Sequence, residues 1–488
     1  MKCSLGFFFL FAGLILQSGC RQDPPIIDTA NSDYPKEVSK IILAKCAVPG
    51  CHNDISKDAA GGVSFETWDK MFRGSRTGAV VIPFNHKQSP LFLFVNTFED
   101  LGVTMAPTMP INRTPLNKEE VLLLKDWINR GAPNSTGFVK FSDNPERKKI
   151  YIVNQGCDLV SVLDQQTNLI MRYIEVGNKA QIEAPHMIKT SADGKYWYVV
   201  FTGGDVIQRY RTDDDSFAGE IFINAGNWNT FDITSDSKRA YIIDWAPQGK
   251  VAVVDLERME FIRYYTSVSE FKSPHGCALA PDDKTLYITS QTGNFIIKVK
   301  IPHVNWPEVS HISLIPGQIP NSQSSLDPHF IEISPDGTKY YVTCQKSNEV
   351  RVMDIATDEL VAVIPTGIYP QELVFSKTTD YAFVSCTEDT QTFPSQRGSV
   401  TVINYKLNTL VKHLYTGHQP HGIAVDDKKK QVYVAHRNIE ASGPAPHHIT
   451  SCGGRNGYMT IIDMNRLELL SSKRYELSVD PYYIDIRE

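Results

Sequence analysis

The second part of the chain carries a repeated pattern of paired apolar runs. Six segments align without gaps, and each consists of an apolar run, a tight polar turn and a second apolar run. They are PHMIKTSADGKYWYVVF from Pro185, WNTFDITSDSKRAYIID from Trp228, PHGCALAPDDKTLYITS from Pro274, PHFIEISPDGTKYYVTC from Pro328, PQELVFSKTTDYAFVSC from Pro370 and PHGIAVDDKKKQVYVAH from Pro420. Each segment is predicted to be a β-hairpin, and the repetition predicts an array of similar units packed on one another.

A seventh copy is divided between two distant segments. PYYIDIRE, Pro481 to Glu488, matches the first strand of a hairpin, and RKKIYIVN, Arg147 to Asn154, matches the second strand. One blade built from both segments would close a ring and remove the exposed sheet edges. Residues 148–488 are therefore predicted to form an all-β seven-bladed propeller.

The second strands of the repeats also carry a recurring motif, seen as YYVT, LYIT and YIVN. In this the repeats resemble the bacterial propeller family named for its Tyr-Val-Thr-Asn (YVTN) motif. The resemblance implies the fold. It says little about activity, because propellers include binding proteins, lactone hydrolases and redox enzymes.

The register of the hairpins predicts which side chains meet at one mouth of the central channel. The residue after each hairpin's first position should lie on the innermost strand, and these residues are His186, Asn229, His275, His329, Gln371, His421 and Tyr482. Fifteen residues further on, at the same end of the sheet, come Cys344, Cys386 and His436, and the long loop after His436 adds His447, His448 and Cys452. Histidine and cysteine suit copper, zinc or iron, so a second transition metal is one interpretation of this face. The alternative is structural: the histidines form hydrogen bonds between blades, and Cys344 and Cys386 pack in the core.

A different kind of motif lies near the start of the chain, in IILAKCAVPGCHN, Ile41 to Asn53. Apolar residues before it predict a short helix that ends at Cys46. Two thiols followed at once by a histidine suit covalent haem attachment, with Cys46 and Cys51 forming thioethers and His52 binding iron. Four residues separate the cysteines instead of the usual two. A disulfide between the two cysteines and a zinc site remain alternatives.

A second segment, Met105 to Asn134, completes a resemblance to small bacterial c-type cytochrome domains. It contains Met-Pro at 109–110, Pro-Leu at 115–116, Trp-Ile at 127–128 and Gly-Ala at 131–132, in the order of that family. Asn117 and Glu120 form a capping box for the helix in this segment. The resemblance covers residues 35–134 and implies a small all-α domain with haem c, His52 as proximal ligand and Met109 as distal ligand, with Met105 as its nearest competitor.

The first residues predict export. An apolar run from Leu5 to Leu16 is followed by QSGC, so residues 1–19 are expected to be a signal peptide and Cys20 a lipidated cysteine. Residues 20–34 and 135–147 are expected to be linkers. The predicted location is the periplasm or the cell surface, with membrane contact through the lipid anchor only. The net charge of −6 gives no basic surface for nucleic acid.

Together these patterns suggest a haem c electron-transfer lipoprotein. Its propeller is expected to bind a redox protein, a small electron donor or acceptor, a substrate or a second metal. The patterns leave open whether it is also an enzyme, which would then be an oxidoreductase. Two other functions stay open: a non-catalytic binding propeller, and a metal-dependent hydrolase. The predicted ring around the channel holds no carboxylate, which disfavours the hydrolase.

Overall fold

The computed structural model describes residues 32–267, 269–301, 306–440, 442–444, 452 and 454–487. Most of the regular secondary structure in the described chain is β-strand. The strands in chain order are β1 (Lys149–Asn154), β2 (Leu159–Asp164), β3 (Leu169–Glu175), β4 (Pro185–Thr190), β5 (Tyr196–Phe201), β6 (Val206–Arg211), β7 (Phe217–Phe222), β8 (Trp228–Ile233), β9 (Arg239–Asp244), β10 (Lys250–Asp255), β11 (Glu260–Thr266), β12 (Pro274–Leu279), β13 (Thr285–Ser290), β14 (Phe295–Lys300), β15 (Glu308–Ser313), β16 (Pro328–Ile333), β17 (Lys339–Cys344), β18 (Glu349–Asp354), β19 (Leu360–Pro365), β20 (Pro370–Phe375), β21 (Tyr381–Cys386), β22 (Ser399–Asn404), β23 (Thr409–Leu414), β24 (Pro420–Asp426), β25 (Gln431–His436), β26 (Asn456–Asp463), β27 (Glu468–Leu469), β28 (Tyr475–Val479) and β29 (Pro481–Ile486).

These strands form seven antiparallel sheets, which are the blades of a propeller. Blades 1 to 5 are β4–β7, β8–β11, β12–β15, β16–β19 and β20–β23 in turn. Blade 6 is β24–β26 with β27 and β28 sharing its outer edge, and blade 7 is β29 followed by β1, β2 and β3. All six predicted hairpins are present as the two inner strands of blades 1 to 6.

The split seventh blade is confirmed. β29 pairs antiparallel with β1, with Ile150 opposite Ile486 and Tyr151 opposite Asp485. Each innermost strand contacts the innermost strand of the next blade, and β29 contacts both β24 and β4, which completes the circle. Between neighbouring blades, apolar side chains of the two sheets form shared buried clusters. Sheet-on-sheet burial of this kind supplies most of the favourable free energy of folding.

Polar contacts reinforce the closure of blade 7 against its neighbours. The Lys149 Nζ lies 2.9 Å from Asp215 Oδ2 in blade 1, and both side chains are buried. Tyr151 donates a hydrogen bond to the other carboxylate oxygen of Asp215. A disulfide joins Cys157, in the turn between β1 and β2, to Cys452, in the loop that precedes β26 of blade 6. The bridge links residues that are 295 positions apart in sequence.

Within the described ranges, all helices lie in the N-terminal region, residues 32–147. The α-helices are α1 (Lys36–Ile41), α2 (Trp68–Met71), α3 (Pro90–Val95) and α4 (Lys118–Asn129). A π-helical turn, Ile42–Cys46, continues α1, and short 3-10 turns occur at Lys57–Ala59, His86–Gln88 and Glu99–Leu101. The predicted capping box is present, because Asn117 accepts a hydrogen bond from the Glu120 amide and the Glu120 side chain accepts one from the Asn117 amide. No helix in the described ranges is long and apolar enough to cross a bilayer.

The N-terminal region packs against the outer strands of blades 6 and 7. Met171 of β3 joins the hydrophobic cluster of the N-terminal region, while Ile82 inserts into the cluster between blades 6 and 7. The Glu476 amide of β28 donates a hydrogen bond of 2.7 Å to the carbonyl of Thr77. The contacts with β3 involve Leu169, Ile170 and Met171, at the start of that strand.

We predict that the disulfide stabilises the closed ring. Replacing both Cys157 and Cys452 with serine should lower the free energy of unfolding by about 2–4 kcal/mol, because the bridge restricts a long segment of the unfolded chain. The measurement is the melting temperature followed by circular dichroism. Wild type should lose the same stability when a reductant is added, whereas the double variant should not respond. Equal melting of wild type with and without reductant would contradict the prediction.

Candidate functional site

A β-bulge recurs at the start of the innermost strand in every blade. In blade 4, for example, Pro328 lies opposite Cys344 and Ile331 opposite Val342, so that two residues, His329 and Phe330, face one residue of β17. The same shift in register occurs in the other six blades. A bulge of this type re-aims side chains at the end of a strand. Here it directs the residues after the first position toward the axis of the ring.

The structure brings the predicted histidines together as one ring, here called the histidine ring: His186, His275, His329 and His421, with Tyr482. Neighbouring aromatic rings contact one another all the way round. The centroid distances are 6.2 Å from His186 to His275, 4.1 Å from His275 to His329, and 6.3 Å from His329 to His421. Tyr482 closes the circle, at 3.7 Å from His421 and 4.4 Å from His186. Contacts between blades 1 and 3 and between blades 4 and 6 can form only across the channel.

Hydrogen bonds fix the orientation of three of the four imidazoles. The Nδ1–H of His275 donates to the carbonyl of His329, and that of His421 donates to the carbonyl of Tyr482, each over 3.0 Å. These are the bonds between blades that the structural interpretation predicts. The side-chain amide of Gln155 donates to Nδ1 of His186 over 2.9 Å, as oriented here. The Nε2 atoms of His275 and His421 are then the unprotonated nitrogens.

Burial keeps the histidine ring uncharged. It lowers the pKa of His275 to about 4, and it lowers the pKa values of His186, His329 and His421 well below the ordinary value. Neighbouring imidazoles and Arg437 add to the effect of burial at His186 and His421. At neutral pH the mouth of the channel therefore presents neutral, polar aromatic groups.

The rim above the histidine ring is built from residues that follow the second strand of each blade. Trp245, which is 40% exposed, contacts His275 edge-on at 5.4 Å between centroids. The guanidinium of Arg437 lies over Tyr482 and forms two hydrogen bonds with the carboxylate of Asp480. Gln345 donates a hydrogen bond of 2.7 Å to the side chain of Gln371. This rim therefore combines an exposed aromatic group, side-chain amides and an arginine that is fixed by a carboxylate. Such groups are suited to binding a ligand or a partner.

Two layers of side chains below the histidine ring were not predicted from the sequence. Phe330 contacts Tyr483 across the axis at 6.4 Å, and Glu372 lies beside His421 with Oε1 3.2 Å from Nδ1. Further along the channel, Lys189 forms an ion pair with Asp232 of the next blade, and Glu332 and Asp485 interact electrostatically with Lys189. Burial raises the pKa of Glu332 to about 7 and raises that of Asp485. The signal was available in the aligned segments, as charged residues at their fifth position, but it required knowledge of the bulge.

Several predicted residues do not reach the channel mouth. His436 was expected there but is enclosed within its blade, where Nε2 contacts Thr460 Oγ1 at 2.9 Å and the ring stacks on Tyr458. Its side chain follows the alternation of β25 instead of leaving the end of the strand, and burial lowers its pKa to about 3. Cys344 and Cys386 are buried in the cores between blades, which agrees with the packing interpretation.

Of the predicted metal ligands in the long loop, the structure describes only Cys452. Cys452 is bonded to Cys157, so its sulfur is not a thiolate in this state. His447 and His448 lie outside the described residues, as does the predicted lipidation site Cys20. Within the described ranges, no group of three or more His, Cys, Asp or Glu side chains has the arrangement of a metal site.

The cysteine motif near the start of the chain forms a compact turn. Cys46 ends the π-helical turn, and the His52 amide donates a hydrogen bond of 3.1 Å to the Cys46 carbonyl. Cys46 and Cys51 are both free thiols. Burial, reinforced by Cys51, raises the pKa of Cys46 to about 12, while burial lowers the pKa of His52. His52 contacts Phe65 edge-on, and its Nδ1 is buried without a hydrogen-bond partner in the described structure.

Met109 packs against the same hydrophobic cluster that contains Cys46 and Phe65. Its amide donates a hydrogen bond of 2.8 Å to the carbonyl of Phe94, which holds the loop after α3 against the cluster. Met105, the competing candidate, does not belong to this cluster. The residues that the resemblance implies as haem ligands therefore share one core.

Comparison with known proteins identifies the fold and no more. A family model described as Choice-of-anchor I domain matches residues 245–378. A structure of a functionally unknown protein from Desulfotomaculum acetoxidans is 15% identical and covers 69% of this chain and 98% of its own, with a TM-score of 0.52. A proposed 6-phosphogluconolactonase from Bacteroides fragilis is 13% identical and covers 72% of this chain and 99% of its own, with a TM-score of 0.53. Comparison with the curated proteins gives no match.

We predict that the histidine ring makes the protein sensitive to acid. Since the folded-state pKa values lie below the ordinary value of about 6.5, the unfolded chain binds more protons, and stability falls as the pH drops from about 6.5 toward 4. Each histidine contributes about 1.4 kcal/mol per pH unit within this window. His275→Gln, which introduces the residue type found at position 371, should reduce the slope by about one histidine's contribution.

The measurement is urea unfolding at a series of pH values, with Asn229→Gln as a control that changes a ring position without removing a titrating group. A slope in His275→Gln equal to that of wild type would mean that His275 is not shielded from water.

Proposed function

We propose that the chain is an exported electron-transfer protein that carries haem c in its N-terminal region and uses its propeller to bind a partner or ligand at the histidine ring. Cys46 and Cys51 would hold the haem through thioethers, His52 would be the proximal iron ligand and Met109 the distal ligand. The observation that carries the proposal is that Cys46 and Cys51 are both free thiols and are followed by His52, whose Nδ1 is buried without a hydrogen-bond partner in the described structure.

The state of the cysteines fits covalent attachment better than the alternatives. A disulfide between Cys46 and Cys51 is not formed, and a zinc site would need thiolates, which the burial of Cys46 disfavours. A thioether carries no charge and is compatible with this environment. Cys46 and Cys51 would each hold the haem by addition of the thiol S–H across a vinyl group, which leaves an uncharged thioether.

The environment of His52 and Met109 fits axial ligation. A buried imidazole nitrogen without a partner costs free energy, so contact between this ring and a bound group would relieve that cost. The hydrophobic cluster that contacts Met109 would shield the sulfur of the Met109 side chain from water. When bound, haem supplies a one-electron centre, and methionine ligation raises its reduction potential.

The positions of the two parts support separate tasks for them. The N-terminal region contacts β3 of blade 7 at Leu169 to Met171 and β28 of blade 6 at Glu476, and both strands lie at the outer edges of their blades. The histidine ring lies on the innermost strands, and three strand spacings, on the order of 14 Å, separate the outermost strand of a blade from the innermost. We therefore assign electron exchange to the N-terminal region and recognition to the channel mouth. A second metal is not part of the proposal, and neither is a catalytic reaction.

Export follows from the first residues and belongs to the same proposal. After removal of the signal peptide, a lipid on Cys20 would hold the protein on a bacterial membrane, in the periplasm or at the cell surface. The disulfide between Cys157 and Cys452 supports an oxidising compartment.

The first test concerns attachment. Protein made in a host with cytochrome maturation machinery should keep its haem after denaturation, visible as haem staining on a gel. The double variant Cys46→Ala/Cys51→Ala should lose the stain, and Cys277→Ala is the matched control because it removes a thiol from the propeller core. An unstained wild type, or a stained double variant, would refute the haem assignment.

The second test concerns the distal ligand. Met109→Ala should change the visible spectrum and lower the reduction potential, because the iron loses its thioether ligand. Met105→Ala should leave both near the wild-type values, since Met105 lies outside the cluster. Equal shifts in the two variants would show that Met109 has no special role at the iron.

A further inference from the structure

A polar cleft lies beside the histidine ring, between the long loops of blades 5 and 6. Its volume is about 470 Å³. The side chains that line it include Arg397, Arg474, His418, Tyr415, Ser395 and Ser442. The cleft is separate from the histidine ring, because none of the residues that line it belongs to the ring.

Hydrogen bonds within the blade 5 loop make its side of the cleft rigid. The buried carboxylate of Asp389 accepts hydrogen bonds from the Ser399 hydroxyl and from the amides of Gln391 and Thr392. Arg397 is held from behind by Glu388, through a hydrogen bond of 2.6 Å from Nε. The loop therefore fixes Arg397 before any ligand arrives.

Gln419 ties this loop to the loop of blade 6. Its amide donates to the carbonyl of Arg397 over 2.7 Å, and its side-chain oxygen accepts from the amides of Ile439 and Glu440. The two walls of the cleft are thus connected through a residue next to the inner strand. Sites of this kind, concave and built on a rigid scaffold, are typical of small-molecule binding.

The groups that line the cleft favour a negatively charged ligand. Two guanidinium groups, from Arg397 and Arg474, contribute to the walls, and hydroxyl groups from Ser395, Ser442 and Tyr415 supply further donors. Arg397 also forms ion pairs with Glu388 and Glu440, which lie outside the lining and offset part of its charge. His418 is 8% exposed, and its Nε2 has no hydrogen-bond partner in the described structure.

We propose that this cleft binds a small anion bearing a carboxylate or phosphate group, with Arg397 and Arg474 as the charged contacts and His418 as a polar group of the floor. The proposal does not depend on haem or on a partner at the histidine ring.

Binding should also take up a proton at His418. Burial, followed by the positive charge of Arg397, lowers the pKa of this imidazole, while Glu388 and Glu440 oppose the shift and Arg455 adds to it. An anion in the cleft would raise the pKa, so affinity should increase as the pH is lowered from 8 to 5.5.

The test is isothermal titration calorimetry of the purified full-length protein with succinate and with inorganic phosphate, and with glycerol as an uncharged comparison. We expect saturable one-to-one binding of at least one anion, and the stronger of the two identifies the source of the charge. Arg474→Gln and Arg397→Gln should each weaken binding at least tenfold. Arg466→Gln is the matched control. Arg466 is an exposed arginine of blade 6, the blade that also carries Arg474, but it pairs with Asp463 and Glu468 and does not line the cleft.

A second readout protects the test against unfolded variants. The melting temperature of each variant is measured first, and the His418 imidazole resonance, assigned with His418→Asn, is followed during titration with sulfate, whose charge is constant over this pH range. Absence of saturable binding of both anions, or equal affinity in wild type, Arg474→Gln and Arg397→Gln, would overturn the proposal. A His418 resonance that does not move would overturn its role in the floor.

Discussion

Pairing between β29 and β1 is the contact on which the rest of the propeller depends. Without it, blade 7 would lack its innermost strand and two blades would present open edges to solvent. The buried ion pair of Lys149 and Asp215 acts at the same place, because it joins the first strand after the linker to blade 1. A pair of this kind gains little in net stability over apolar packing, but loss of one partner leaves a buried charge. Closure is thus specified by polar groups that tolerate only one arrangement.

Closure alone does not determine what lines the channel, because the repeated bulge decides that. With simple alternation, each innermost strand would send every second side chain to the axis. The bulge lets two consecutive side chains reach the channel, and in blade 4 His329 and Phe330 both contact residues on the other side of it. Glycine serves the same geometry in two blades. A Cβ on Gly276 would lie 2.6 Å from the carbonyl oxygen of His329, and one on Gly422 would lie 2.6 Å from that of Tyr482. These glycines allow the inner strands to approach closely enough for His275 and His421 to form hydrogen bonds to the next blade.

The sequence predicts the regular parts of this structure well and the irregular parts poorly. The hairpins, the split blade and the capping box of α4 follow from local patterns, since alternation, turn residues and caps act over a few positions. The convergence of the four histidines also follows, because it needs only the repeat register. The disulfide of Cys157, the enclosure of His436 and the layer around Lys189 could not be predicted. Each depends on distances between blades or on the bulge, and a single sequence contains no direct measure of either. The roles of Cys46, Cys51, His52 and Met109 remain predictions, although Cys46 and Met109 pack in one hydrophobic cluster and His52 contacts Phe65 of that cluster.

The two ends of the channel differ in charge, and this difference limits what each can bind. Around the histidine ring, burial holds the imidazoles neutral, and the nearby cleft adds the guanidinium groups of Arg397 and Arg474. Toward the other end, three carboxylates, of Asp232, Glu332 and Asp485, face one ammonium group, that of Lys189. Burial raises the pKa of Glu332 to about 7, so this end becomes more negative as the pH rises through neutrality. An anion approaching that end meets like charge in a poorly solvated space, where repulsion is stronger than in water. Recognition of negatively charged molecules therefore belongs to the face with the histidine ring, on the side away from the contacts of the N-terminal region with β3.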